Sequence, residues 1–144
     1  MFKIKIMVAC LSVFCLQAAI GQTLAEKAIY QRQEELLAPD VKRLHDNCGA
    51  DIKVSFDWST FNKEELDKYG AYSLCQEAVR GVNQICLNSE IGKQAVQAGV
   101  KSIVCSRTTP KSLEFSNNTL RYGMEYGAQA DLAHDVQKYL ENQL

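Results

Sequence analysis

The sequence predicts an α+β domain: a small, mostly antiparallel four-stranded sheet with helices packed on one face, stapled by two disulfides. Strand-type alternation occurs once early in the chain and in three consecutive segments near its end, and helix-type periodicity fills most of the rest. An even set of four cysteines, Cys48, Cys75, Cys86 and Cys105, follows a segment with the pattern of an export signal. These two observations, with the absence of any repeat or linker in the sequence, fix the expected class.

Residues 1–21 read as that signal. Lys3 and Lys5 precede an apolar run from Ile6 to Ala19, and Ala19-Ile20-Gly21 fits a small-x-small cleavage site. The run is too short for a membrane-spanning helix. Phe14 before Cys15, and the early position of Cys10, break the pattern that lipidation needs. The expected mature chain, residues 22–144, is a single disulfide-stapled domain of 123 residues, periplasmic or extracellular. Its formal charge moves from −1 to −3 when Lys3 and Lys5 leave. Neither nucleic acid nor a membrane surface is an expected partner at that charge.

A helix should begin at Leu24, because Thr23 and Glu26 form a capping box. Pro39 predicts a kink or a break. Beyond it Leu37, Val41, Leu44 and Cys48 repeat at helical spacing, and Gly49 supplies the stop. Residues 51–58 alternate, with Ile52, Val54, Phe56 and Trp58 on one face of a strand and Lys53, Ser55 and Asp57 on the other. Asn62 caps a short helix that Gly70 closes.

Residues 71–88 form the central helix, with Cys75, Val79, Val82 and Cys86 on its buried stripe. Asn88 or Ser89 can cap a further short helix through Ala98, ended by Gly99. Residues 100–107 are apolar on both faces, which suits a central strand. After a turn at Thr108-Thr109-Pro110, residues 111–126 read as a hairpin about Asn117-Asn118, since Asn tolerates positive φ. Counting outward pairs Phe115 with Leu120, Leu113 with Tyr122 and Glu114 with Arg121. Residues 128–140 form the last helix, with Ala128, Leu132, Val136 and Tyr139 or Leu140 as its apolar stripe.

Helix geometry limits the disulfides. Cys75 and Cys86, eleven residues apart on one helix, lie about 16 Å apart along its axis, whereas a disulfide spans at most about 7 Å between Cα atoms. Each must therefore reach outward, one to Cys48 and one to Cys105. If the helix runs antiparallel to the first strand and the next strand returns parallel to it, the pairs are Cys48–Cys86 and Cys75–Cys105.

Chemistry is sparse. No C-x-x-C, G-x-S-x-G, H-E-x-x-H or phosphate-binding glycine loop occurs. Asp131-x-x-His134 and His45-x-x-Cys48 have metal-like spacing, but each offers only two ligands, so solvated helix residues are the better reading. No catalytic residue, cofactor or metal is expected. Asn117-Asn118-Thr119 is a glycosylation acceptor in a eukaryotic source and otherwise a good turn. For recognition, the candidates are Trp58 and Phe61 at the end of the first strand, and the open sheet face bearing Lys53, Asp57, Glu114 and Arg121. The expected function is a non-enzymatic exported domain that binds a protein, such as an inhibitor or neutraliser of an enzyme or toxin. A small-ligand carrier with a pocket between sheet and central helix is the alternative, followed by an enzyme without a recognisable motif.

Overall fold

A computed structural model describes residues 23–127 and 131–144. The expected export signal, and the first three residues of the last predicted helix, lie outside this range. The order is α1 (Leu24–Cys48), β1 (Lys53–Phe56), a single 3-10 turn (Trp58–Thr60), α2 (Lys63–Tyr69), α3 (Tyr72–Asn88), α4 (Glu90–Gly99), β2 (Ser102–Arg107), β3 (Ser112–Ser116), β4 (Thr119–Met124) and α5 (Leu132–Glu141). The class is α+β, as the patterning predicts.

The sheet is mixed, which corrects the mostly antiparallel expectation. Its order is β1-β2-β4-β3, with β1 parallel to β2, β2 parallel to β4, and only β3 antiparallel to β4. The hairpin itself has the predicted register, Phe115 opposite Leu120, Leu113 opposite Tyr122 and Glu114 opposite Arg121. Asn117 and Asn118 at φ 50° and 59° turn it. What the pattern does not reveal is that the hairpin's second strand slots in beside β2. The chain leaving β2 therefore crosses the end of β4, with the Thr108 N–H donating to the Met124 carbonyl at 2.9 Å. Gly123 permits the crossing, because a Cβ there would collide with the side chains of Thr108 and Ser112.

α1 runs unbroken through Pro39. The proline and Glu35, whose carbonyl loses its i+4 donor, both lie on the exposed face, where water can take that bond. The capping box at Thr23 and Glu26 forms, and Gly49 closes the helix at φ 64°. β1 is shorter than predicted. Asp57 still donates to the Cys105 carbonyl at 2.8 Å, and the chain then tightens into the 3-10 turn that carries Trp58.

Helices cover one face of the sheet. α3 lies over its centre with α1 and α5 on either side. Leu44, Cys48, Ile52, Val79, Val82, Ile103, Leu120, Val136 and Leu140 are all buried in one continuous core. Both disulfides join the predicted partners: Cys48–Cys86 with Cα atoms 5.2 Å apart, and Cys75–Cys105 with Cα atoms 5.5 Å apart.

α1 and α3 run parallel, since contacts along both chains advance together. The Gln33 side-chain oxygen accepts from the N–H groups of Ala71 and Tyr72 at 2.7 and 3.0 Å, capping a helix start that has no capping side chain of its own. Asp40 accepts from Gln76 at 2.9 Å, and Asn47 donates to Asn83 at 2.9 Å. Gln33, Asp40 and Asn47 are seven residues apart, interleaved with buried Leu37 and Leu44.

Gly81 sits where α3 crosses α5. A Cβ there would lie 2.6 Å from the Ala133 carbonyl oxygen and 2.7 Å from the Val136 side chain. Alanine gains up to about 1 kcal/mol in helix propensity, while forced overpacking costs about 1–3 kcal/mol, and a backbone carbonyl yields poorly. Gly81→Ala should therefore lower the urea midpoint. A raised midpoint would show that the two helices can separate freely.

Candidate functional site

The residues singled out from sequence fall in two places. Lys53, Glu114 and Arg121 lie on the uncovered sheet face, and Asp57 lies at its end. One row across that face reads Ser55, Val104, Arg121, Glu114, and the next reads Lys53, Ser102, Thr119, Ser116. Arg121 and Glu114 face one another in register without an ion pair, and Glu114 instead accepts from the Ser116 hydroxyl at 3.0 Å. Among the described residues neither Lys53 nor Arg121 has an ion-pair partner. The face spans about 14 Å by 17 Å from strand spacing and rise, or roughly 240 Å², well under the ~800 Å² per partner of a standard interface. It could serve as part of a binding surface but not as the whole of one.

Trp58 and Phe61 belong to the helix side. The Trp58 ring stacks on Tyr30 of α1 at 4.3 Å and 8°, and on Phe56 at 4.4 Å and 22°. Two near-parallel rings this close must occupy opposite faces of the indole. Phe61 leans on the same ring from 5.5 Å, and the indole N–H reaches Glu34 at 3.3 Å. With both faces taken, the tryptophan fastens α1 to the end of β1 and offers no stacking platform.

The polar clusters are committed to the fold in the same way. Arg107, at the end of β2, donates from one terminal nitrogen to the Thr108 carbonyl, the Thr109 hydroxyl and the Met124 carbonyl at 2.7, 2.8 and 3.4 Å. Its guanidinium lies against Tyr126 and 3.5 Å from Glu65, tying α2 to the sheet end. Asp131 caps α5 by accepting from the His134 N–H at 3.1 Å, which accounts for that spacing. The His45 ring nitrogen contacts the Ile52 carbonyl at 2.8 Å. Among the described residues no three His, Cys, Asp or Glu side chains converge as metal ligands.

The sequence reading missed an exposed apolar patch. Ile91 in α4 and Leu144 beyond α5 are 81% and 40% exposed. Ile91 and Leu144, with Ile85, Gly92 and Ala95, line a groove of about 360 Å³. The signal was available: Ile91 stands about 140° around α4 from buried Val96, well off the side that meets the core.

The space between sheet and α3, where a carrier would hold its ligand, is filled by Phe56, Ile103, Leu120, Tyr122 and the Cys75–Cys105 bridge. No family model matches the chain, and neither does any curated protein or solved structure.

Within that core the Tyr122 hydroxyl is buried with no hydrogen-bond partner among the described residues. Burial, reinforced by the Glu77 and Asp135 carboxylates, pushes its phenol far above the ordinary tyrosine range. The folded state thus keeps a proton that the unfolded state releases, so the stabilisation is complete below about pH 10 and falls as pH rises beyond it. Tyr122→Phe should match the parent at neutral pH and decline less above pH 10, by up to ~1.4 kcal/mol per pH unit. Denaturant titrations across that range measure the difference, and parallel decline in both proteins would place the phenol in water.

Proposed function

We propose that this chain is an exported, non-enzymatic domain that binds another protein, in the manner of an inhibitor or neutraliser of an enzyme or toxin, through the apolar groove lined by Ile91 and Leu144. The observation that carries this reading is the exposure of two large aliphatic side chains, Ile91 and Leu144, on the walls of one groove. Apolar side chains gathered at one place, with polar Ser89 and Glu141 at the rim, suit the core-and-rim anatomy of a protein interface. The matching chemistry on the partner is an aliphatic or aromatic side chain that enters the groove, with polar groups around it. The two disulfides are compatible with export, and on this reading the partner shares the same oxidising compartment. The filled space under α3 weighs against a small-ligand carrier. The commitment of Arg107, Asp131 and His45 to structural contacts weighs against catalysis by those groups.

Affinity capture from extract of the source compartment tests the reading with three baits: the parent protein, Ile91→Lys, and the double variant Lys53→Glu/Arg121→Glu. The expected result is a stoichiometric partner held by the parent and the double variant and lost with Ile91→Lys, whose melt should match the parent because Ile91 is solvent-exposed. Loss with the double variant alone would move the interface to the sheet face. The absence of any stoichiometric partner on the parent would contradict the proposal.

A further inference from the structure

A polar groove of about 310 Å³ lies between α1 and α3, lined by Asp40, Arg43, Gln76, Val79, Arg80 and Asn83. Its construction sets it apart from an ordinary solvated seam. Inter-helix hydrogen bonds tie it at both ends, Asp40 to Gln76 at one and Asn47 to Asn83 at the other. The Asp40 carboxylate is nearly buried, and both of its oxygens are engaged, one by Arg43 and one by Gln76. The two guanidiniums are largely exposed, at 64% and 54% of their side chains. Each uses a single terminal nitrogen internally, Arg43 on Asp40 and Arg80 on Glu77 at 3.1 Å. That leaves Nε and the second terminal nitrogen of both arginines without partners among the described residues.

We propose that this groove binds a small oxyanion, a phosphate or a carboxylate, held between Arg43 and Arg80. Planar guanidinium forks match the paired oxygens of those groups, and two forks on one groove offer two bidentate contacts. Phosphate or a four-carbon dicarboxylate is smaller than the groove. The Asp40 charge does not oppose entry strongly, since Arg43 and Gln76 already neutralise and hydrogen-bond it. Glu77 is the competitor: it must release Arg80, and a solvent-screened pair three residues apart on a helix holds weakly. Because the site joins α1 to α3, occupancy also resists separation of the two helices.

Titration of the oxidised protein with inorganic phosphate and, separately, succinate, at ionic strength held constant with sodium chloride, tests this by NMR of the arginine Nε–H signals. The expected result is saturable shifts of Arg43 and Arg80 with one or both anions, the tighter one identifying the preferred oxyanion. Arg80→Gln should weaken binding by about tenfold, as loss of a charge-assisted contact does. Glu77→Gln should strengthen it by about threefold, the scale of an exposed ion pair. Both side chains are partly exposed, so the variants should keep the parent's melt. Shifts that grow linearly with both anions, or an unchanged affinity in Arg80→Gln, would overturn the proposal.

Discussion

Everything in this domain is arranged around two covalent bonds on one helix. Cys75 and Cys86 are separated by three turns of α3, too far apart to meet, so each bridge leaves the helix in a different direction. One ties the end of α1 to the end of α3, and the other ties the start of α3 to the centre of the sheet. The bridges close chain segments of 38 and 30 residues, and on the chain-entropy account each contributes just under ~4 kcal/mol by restricting the unfolded chain. Net stability for a small domain is about 5–15 kcal/mol. On those magnitudes the bridges weigh as much as the whole balance between core burial and chain entropy.

The second constraint is the seam between α1 and α3. Gln33, Asp40 and Asn47 recur at intervals of seven, and each hydrogen-bonds to α3, while Leu37 and Leu44 fill the positions between them. Leucines alone would hold two parallel helices together at several offsets, but a buried carboxylate or amide is satisfied at only one. The polar residues therefore set the register that brings Cys48 opposite Cys86 and Tyr30 onto Trp58. They also leave a polar groove with Arg43 and Arg80 on its walls, and Asp40, Gln76 and Asn83 serve both the alignment of the helices and the lining of the proposed oxyanion site.

Much of this was legible in the sequence, and the misses have physical causes. The hairpin register followed from the two asparagines and the alternation on either side of them. Helix rise excluded a Cys75–Cys86 bridge, and the choice between the two remaining pairings rested on the supposition of a parallel crossover, which the structure shows between β1 and β2. Parallel pairing of β2 with β4 was not legible, because periodicity reports which face of a strand is buried and not which neighbour it takes. Its only local trace is Gly123, a position where the crossing chain leaves no room for a side chain. The candidate surface was read less well. Lys53, Glu114 and Arg121 do share an uncovered face, but Trp58, the single tryptophan, is enclosed by Tyr30, a partner on a distant helix that spacing cannot reveal. Ile91 lies off the buried stripe of its helix, and periodicity singles out the stripe rather than the apolar residues beside it.

On these magnitudes the disulfides on α3, rather than core burial alone, keep the domain folded. The deciding measurement is thermal unfolding of the protein in its oxidised form and after full reduction, with the cysteines blocked. The reduced chain should lose its cooperative transition or melt far below the oxidised one, with α1 detached from α3. Coincident melts would contradict it, and would mean that the α1–α3 seam and the core hold the fold by themselves.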